Sequence, residues 1–145
     1  MPYVPKRPPL DPCPVETVFA IIGGKWKARI MLLLSSKPFR FGELRRGLVG
    51  ITQQVLSAQL KALQRDGMVY RCASAKRSEP PTYQLSRDGS QLVQALERVS
   101  IWGQGRLQMQ GYRWQSPFGS ERGRRLSGNL GGPLTAAAGT GVRHP

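Results

Sequence analysis

This chain of 145 residues holds a single histidine, His144, one residue from its end, and only two cysteines, Cys13 and Cys72. The body of the chain therefore has no histidine for catalysis or metal binding. Two cysteines make neither a disulfide scaffold nor a metal-ligand spacing. Acid is scarce too, with 8 Asp and Glu against 22 Lys and Arg. No carboxylate pair has a spacing suited to general acid–base work. An enzyme is not expected, and neither a cofactor nor a metal. Apolar runs reach only five residues, as at 30–34, far short of the roughly 18 needed to span a bilayer. Prolines and Asp11 stand where a signal peptide needs an apolar stretch. The expectation is a soluble cytoplasmic protein, nucleoid-associated, without membrane contact.

What is abundant is positive charge. The formal net charge is +14 and the isoelectric point is near 11.1. A surplus of that size concerns partners rather than fold, and favours polyanions such as nucleic acid. Its distribution matters. Residues 1–115 carry 18 Lys and Arg against 7 Asp and Glu, a net +11; residues 116–145 carry 4 against 1, a net +3. Most of the charge thus lies in the part that reads as folded.

Residues 40–70, RFGELRRGLVGITQQVLSAQLKALQRDGMVY, are the densest in information. Phe41, Leu44 and Leu48 recur at i, i+3, i+7, the spacing of a helix. Gly47 and Gly50 bracket a turn. Thr52 is a good N-cap for a following helix at 53–65, because its oxygen can accept a free N–H of the first turn. Leu56, Leu60 and Leu63 line one face of that helix and read as core. Gly67 ends it. The opposite face is polar, which suits a helix in a DNA groove with its back on a core.

The flanks complete a pattern. Residues 1–12 are proline-rich and read as an extended arm. Val15, Val18, Phe19 and Ile22 form an apolar stripe on a first helix, broken by Gly23 and Gly24. Residues 26–35 predict a second helix, with Ile30, Met31, Leu33 and Leu34 largely buried and Trp26 in the core. Residues 68–73 and 82–85 read as two strands of a hairpin around the basic loop SAKRSEPP, with Pro80 and Pro81 at the strand start. Ser86 caps a fifth helix whose inner side carries Leu92, Leu96 and Val99, with Trp102 as core or dimer contact. Gly103 and Gly105 weaken its end. Residues 116–145 hold few large apolar groups and read as a disordered Gly/Arg-rich tail.

Helices, a basic two-stranded hairpin and a final helix, in this order, make an α+β, mainly helical, winged helix-turn-helix. In such a fold the second helix of the motif reads the major groove with its N-terminal residues. Thr52, Gln53, Gln54, Ser57 and Ala58 are then the candidates nearest the bases. Gln can pair bidentately with adenine, and Ala can touch a thymine methyl. Lys61 and Arg65 lie further along and suit phosphate, as do Arg45 and Arg46 beside the turn. Lys76 and Arg77 in the hairpin suit a minor groove or phosphate. Cys72 on the hairpin is expected to be incidental.

On these residues the chain resembles the HxlR-type family of winged helix-turn-helix transcription regulators. The matching segments are CPVE at 13–16, IGGKWKARIM at 22–31, residues 40–69, PPTYQLSRDGSQL at 80–92 and WG at 102–103. The resemblance covers roughly residues 11–106, within a domain taken as 13–110. It implies a homodimer built from N- and C-terminal dimerisation helices, here about 14–23 and 86–106. It implies double-stranded DNA as partner, with a pseudo-palindromic operator and recognition helices roughly 34–36 Å apart. Some family members resemble thiol-based sensors with a cysteine just before the first helix, the place of Cys13. A helix N-terminus favours the reactive thiolate; the alternative is a small structural thiol. The basic loop and the tail, with Arg122, Arg124 and Arg125, depart from the family pattern. Two other readings stay open: a winged-helix protein–protein adaptor and a non-specific nucleic-acid-binding protein. Operator, target genes, effector and sign of regulation are not legible.

Overall fold

Five helices and three short strands make up residues 11–113, the part of the chain that the computed structural model describes. Residues 1–10 of the proposed arm at 1–12, and the proposed tail at 116–145 with its arginines, lie outside the described residues. In chain order the elements are α1 (Pro14–Ile22), α2 (Lys27–Leu34), β1 (Phe39–Arg40), α3 (Phe41–Gly47), α4 (Gln53–Arg65), β2 (Val69–Cys72), β3 (Thr82–Leu85) and α5 (Arg87–Met109).

Local chemistry sets most of the boundaries. Pro14 opens α1, where its missing N–H is no loss. The Thr52 Oγ1 accepts the Val55 N–H at 3.2 Å and starts α4. At the other end of α4, Gly67 takes φ +74°. There the Met68 N–H reaches the Leu63 carbonyl at 2.9 Å and the Gly67 N–H the Gln64 carbonyl at 3.0 Å. Buried Leu63 and Met68 pack beneath this turn, the apolar contact that usually accompanies it.

The sheet has the order β1–β3–β2, with both pairings antiparallel. In β2–β3, Val69 faces Leu85 and Arg71 faces Tyr83. The hairpin expected at 68–73 and 82–85 is present, its first strand trimmed to Val69–Cys72. The third strand, β1, was not anticipated: two residues cannot display an alternating pattern. Phe39 and Arg40 become a strand because Tyr83 and Thr82 of β3 offer them a free edge.

The core is assembled from α2, α3, α4 and α5. Ile30, Met31, Leu44, Leu56 and Leu63 are fully buried, and Leu60, Leu34, Met68, Val69 and Val93 nearly so. Trp26 packs half-buried against this cluster. Two expectations about the core are corrected, at Leu33 and Val99. Leu33 is only half-buried and rests beside Gly47. No residue of α1 is buried. Val99 and Trp102 stay exposed, at 63% and 70%, so Trp102 is not core within one protomer. The helical period was correct in both terminal helices, but these stripes extend beyond what a single chain covers. Helix α5 also runs through Gly103 and Gly105 to Met109, and closes only at Gly111, φ +81°.

The junction between β3 and α5 is unusually close. The Ser86 Oγ accepts the Gly89 N–H at 2.9 Å and donates to the Gly67 carbonyl at 2.6 Å. The Ser86 N–H donates to the Met68 carbonyl at 2.9 Å. Gly89 is buried against that same Met68 backbone. This ties the end of α4, the root of the hairpin and the start of α5 into one knot.

Candidate nucleic-acid interface

The Leu56, Leu60 and Leu63 face of α4 is buried, so the opposite face must point outward. Thr52, Gln53, Gln54, Ala58 and Lys61 are exposed there, and Ser57 is half-buried. Arg45 and Arg46 are exposed in the last turn of α3, just before the turn into α4. Arg65 is exposed at the end of α4, and Lys76 and Arg77 at the hairpin tip.

Not all of these residues meet. Gln53, Ser57 and Arg46 line a groove of about 580 Å3 together with Arg40, Phe41, Arg71 and Tyr83. Gln54, Ala58, Lys61, Lys76 and Arg77 lie outside it. The groove runs from the start of α4 to the root of the hairpin, so it joins the two proposed DNA-contacting parts. Arg46 folds back toward the start of α3: one of its Nη atoms would lie 3.6 Å from a Cβ built on Gly42.

The charge pattern favours an external anion. Among the described residues the ion pairs engage only Arg40 and Lys76, both with Glu79, at 3.9 and 3.8 Å. Among the described residues Arg45, Arg46, Lys61, Arg71 and Arg77 have no carboxylate within ion-pair distance. The one acid inside the groove is already committed. Glu43 Oε2 accepts the Arg40 backbone N–H at 2.8 Å, and this bond holds its carboxyl below the ordinary range, with help from nearby Lys37, Arg40 and Arg46. Glu43 thus serves the start of α3, the return half of a capping box.

Two groove residues, Arg40 and Arg71, are not among the candidate contacts that the sequence suggests. Arg71 sits on the strand taken as the hairpin's first arm, where alternation alone does not separate a groove face from a solvent face. Arg40 sits on the unforeseen β1. Pairing of both strands with β3 places them together, and no local pattern carries that information.

Cys13 is half-buried with a free thiol at the N-cap of α1, and its side chain makes no capping hydrogen bond. Its carbonyl accepts from the Thr17 N–H and hydroxyl at 3.0 and 3.1 Å. Cys72 is a second free, half-buried thiol, opposite Thr82. Among the described residues no His, Cys, Asp and Glu cluster could hold a metal. No helix there is long and apolar enough to cross a membrane.

Comparison with known proteins agrees with this layout. The chain is 41% identical over 91 residues to YdzF, a helix-turn-helix-type transcriptional regulator of Bacillus subtilis, covering 62% of this chain and 84% of that protein. Among solved structures it resembles the redox regulator HypR in its reduced form, with a TM-score of 0.63 and 33% identity over 69% of this chain and all of HypR. It also resembles the reduced form of the regulator YodB from B. subtilis, with a TM-score of 0.59 and 26% identity, covering 65% of this chain and 93% of YodB. YodB has further been solved with a bound quinone. Residues 21–111 match the HxlR-like helix-turn-helix family, and the chain belongs to that family of DNA-binding transcription regulators.

Proposed function

We propose that this protein binds a pseudo-palindromic operator as a homodimer and reads its sequence through the N-terminal half of α4. The observation that carries this is the exposed row Gln53, Gln54 and Ala58, flanked by arginines that have no carboxylate within ion-pair distance among the described residues. Gln53, Gln54, Ser57 and Ala58 contact base edges, and Thr52 caps the helix that presents them. Arg45, Arg46, Lys61 and Arg65 hold phosphates, which set affinity and position rather than sequence. Lys76 and Arg77 make the wing contact. The domain doing this spans about residues 13–110.

Dimerisation is supported by the apolar residues that one protomer leaves uncovered. Val15 and Phe19 on α1, and Val99 and Trp102 on α5, are all well exposed. Each pair recurs at i, i+4 or i, i+3, so each forms a stripe on its helix. A second copy covering such stripes removes them from water, the main driving force of association.

The test is selection of bound duplexes from a random pool, followed by competition with unselected DNA. A symmetric motif and a clear preference are expected. Equal binding of selected and random duplexes would leave a non-specific binder; no DNA binding at all would favour an adaptor. Gln54→Ala should relax preference at one base step in each half-site, at about 1–3 kcal/mol of discrimination. A uniform loss on all sequences would move Gln54 into the phosphate-contacting group.

The finer regulatory reading concerns Cys13. HypR is a redox regulator and YodB has been solved with quinone and after diamide treatment. Cys13 lies at the N-terminus of the first helix, beside the proposed dimer stripe. Modification of its thiol there would shift α1 and with it the spacing of the two recognition helices. A thiol-reactive electrophile should weaken operator binding by the wild type and leave Cys13→Ser unaffected. An equal response from both proteins would remove Cys13 from any sensing role.

A further inference from the structure

The hairpin loop, residues 73–81, contains one acidic residue, Glu79, between two prolines and two cations. Its carboxylate is engaged from three directions. The Ser74 hydroxyl donates to Oε2 at 3.0 Å, the Lys76 Nζ lies 3.8 Å from Oε1, and the Arg40 Nη2 lies 3.9 Å from Oε2. The loop closes on itself as well. The Lys76 N–H donates to the Ser74 Oγ at 3.2 Å, and the Glu79 N–H to the Lys76 carbonyl at 3.0 Å. Glu79 therefore orders the hairpin tip and at the same time ties it to Arg40, which lines the groove with Arg46 and Arg71.

We infer that Arg40 and Arg71 are phosphate ligands for the DNA backbone between the recognition helix and the wing, and that Glu79 is an internal competitor occupying Arg40 and Lys76 until a phosphate displaces it. The inference rests on the DNA-binding reading above and deepens it. Both Glu79 pairs are long, and their side chains are 42–77% exposed. Exposed pairs of this kind contribute little and exchange readily. A phosphodiester arriving between the groove and the wing offers the same charge, and its binding releases condensed counterions, which the internal carboxylate cannot do. Arg71 needs no release, because no acid among the described residues lies within ion-pair distance of it. The free protein thus keeps its wing root ordered and its nearest cations screened from casual anions, at some loss of affinity for DNA.

Phosphate contacts are blind to sequence, so the experiment does not need the operator. Full-length wild type, Arg40→Gln, Arg71→Gln, Glu79→Gln and the double variant Arg40→Gln/Glu79→Gln are titrated onto a mixed-sequence duplex over a range of salt. Arg40→Gln and Arg71→Gln should each flatten the slope of log K against log salt by about 1 for every half-site occupied. Glu79→Gln should tighten binding by roughly 1.5- to 5-fold per half-site, the worth of an exposed ion pair. That gain should shrink in the Arg40→Gln background to the part released from Lys76, and vanish when Lys76→Gln is added. A gain left undiminished by both changes would show a general charge effect and overturn the competitor role. Unchanged slopes for Arg40→Gln and Arg71→Gln, with wild type binding normally, would overturn the phosphate site. A wild type that binds no duplex would instead overturn the DNA-binding reading, and this inference with it. The exchanged residues are exposed, so each variant retains the fold.

Discussion

Raising the salt from 50 to 200 mM should weaken operator binding by about 10³–10⁵-fold, the loss for a protein that neutralises about 6–10 phosphates. The contact set supports a number in that range. Each protomer offers Arg45, Arg46, Lys61 and Arg65 around the helix-turn-helix, and Arg77 at the hairpin tip, all exposed and, among the described residues, without a carboxylate in ion-pair distance. The proposed homodimer would bring these cations to one operator twice. Phosphate neutralisation releases counterions, and the free energy of that release falls as bulk salt rises. Hydrophobic or hydrogen-bonded recognition of a protein partner would respond far less. Fluorescence anisotropy of a labelled duplex, titrated at several salt concentrations, reads the slope directly. A slope near zero would leave the adaptor reading standing and remove the DNA one.

Gly89→Ala should lower the unfolding midpoint by about 8–16 °C in a domain of this size. Two effects oppose each other. Alanine is favoured over glycine by about 1 kcal/mol in a helix interior, and by at most that at position 89 in the first turn of α5. Against this, a Cβ at position 89 would lie 2.1 Å from the Met68 carbonyl oxygen and 3.0 Å from its carbonyl carbon. The obstruction is backbone, which cannot rotate aside as a side chain would. Overpacking of a tight contact costs about 1–3 kcal/mol and sometimes more, and here the start of α5 has to shift. That shift breaks the Ser86 bonds to the Gly67 and Met68 carbonyls. The net loss is about 2 kcal/mol or more, and the clash decides the sign. Differential scanning calorimetry checks it. An unchanged or raised midpoint would mean that α5 can retreat from the β2 root without loss.

Much of the fold was legible because local rules act within a few residues. The run from Thr52 to Gly67 carries its own start signal, apolar period and stop signal, and α4 occupies Gln53–Arg65 as read. The hairpin partners were legible from their turn residues and prolines. The element missed, β1, is two residues long, and its existence depends on the edge of β3. The candidate site divides in the same way. Gln53 and Gln54 follow from α4, whose other face is leucine, and Arg45 and Arg46 from the last turn of α3 just before it. Arg40 and Arg71 do not, because they come together only through the pairing of strands distant in sequence.

The terminal helices show the other limit. Val15 and Phe19, or Val99 and Trp102, have the spacing of a buried stripe, yet one protomer leaves all four exposed. A period identifies an apolar face but not the molecule that covers it. Gly89 makes the same point inside the core. It stands in the recognisable run from Tyr83 to Gly89, but the reason for a glycine is the Met68 carbonyl, twenty-one residues earlier in the chain. By itself the sequence determined the helices, their caps, the charge and the polar face of α4, since each depends on neighbours along the chain. Only the tertiary structure decided which arginines share a groove, what Glu79 holds, and which apolar faces remain uncovered, since each depends on residues that folding brings together.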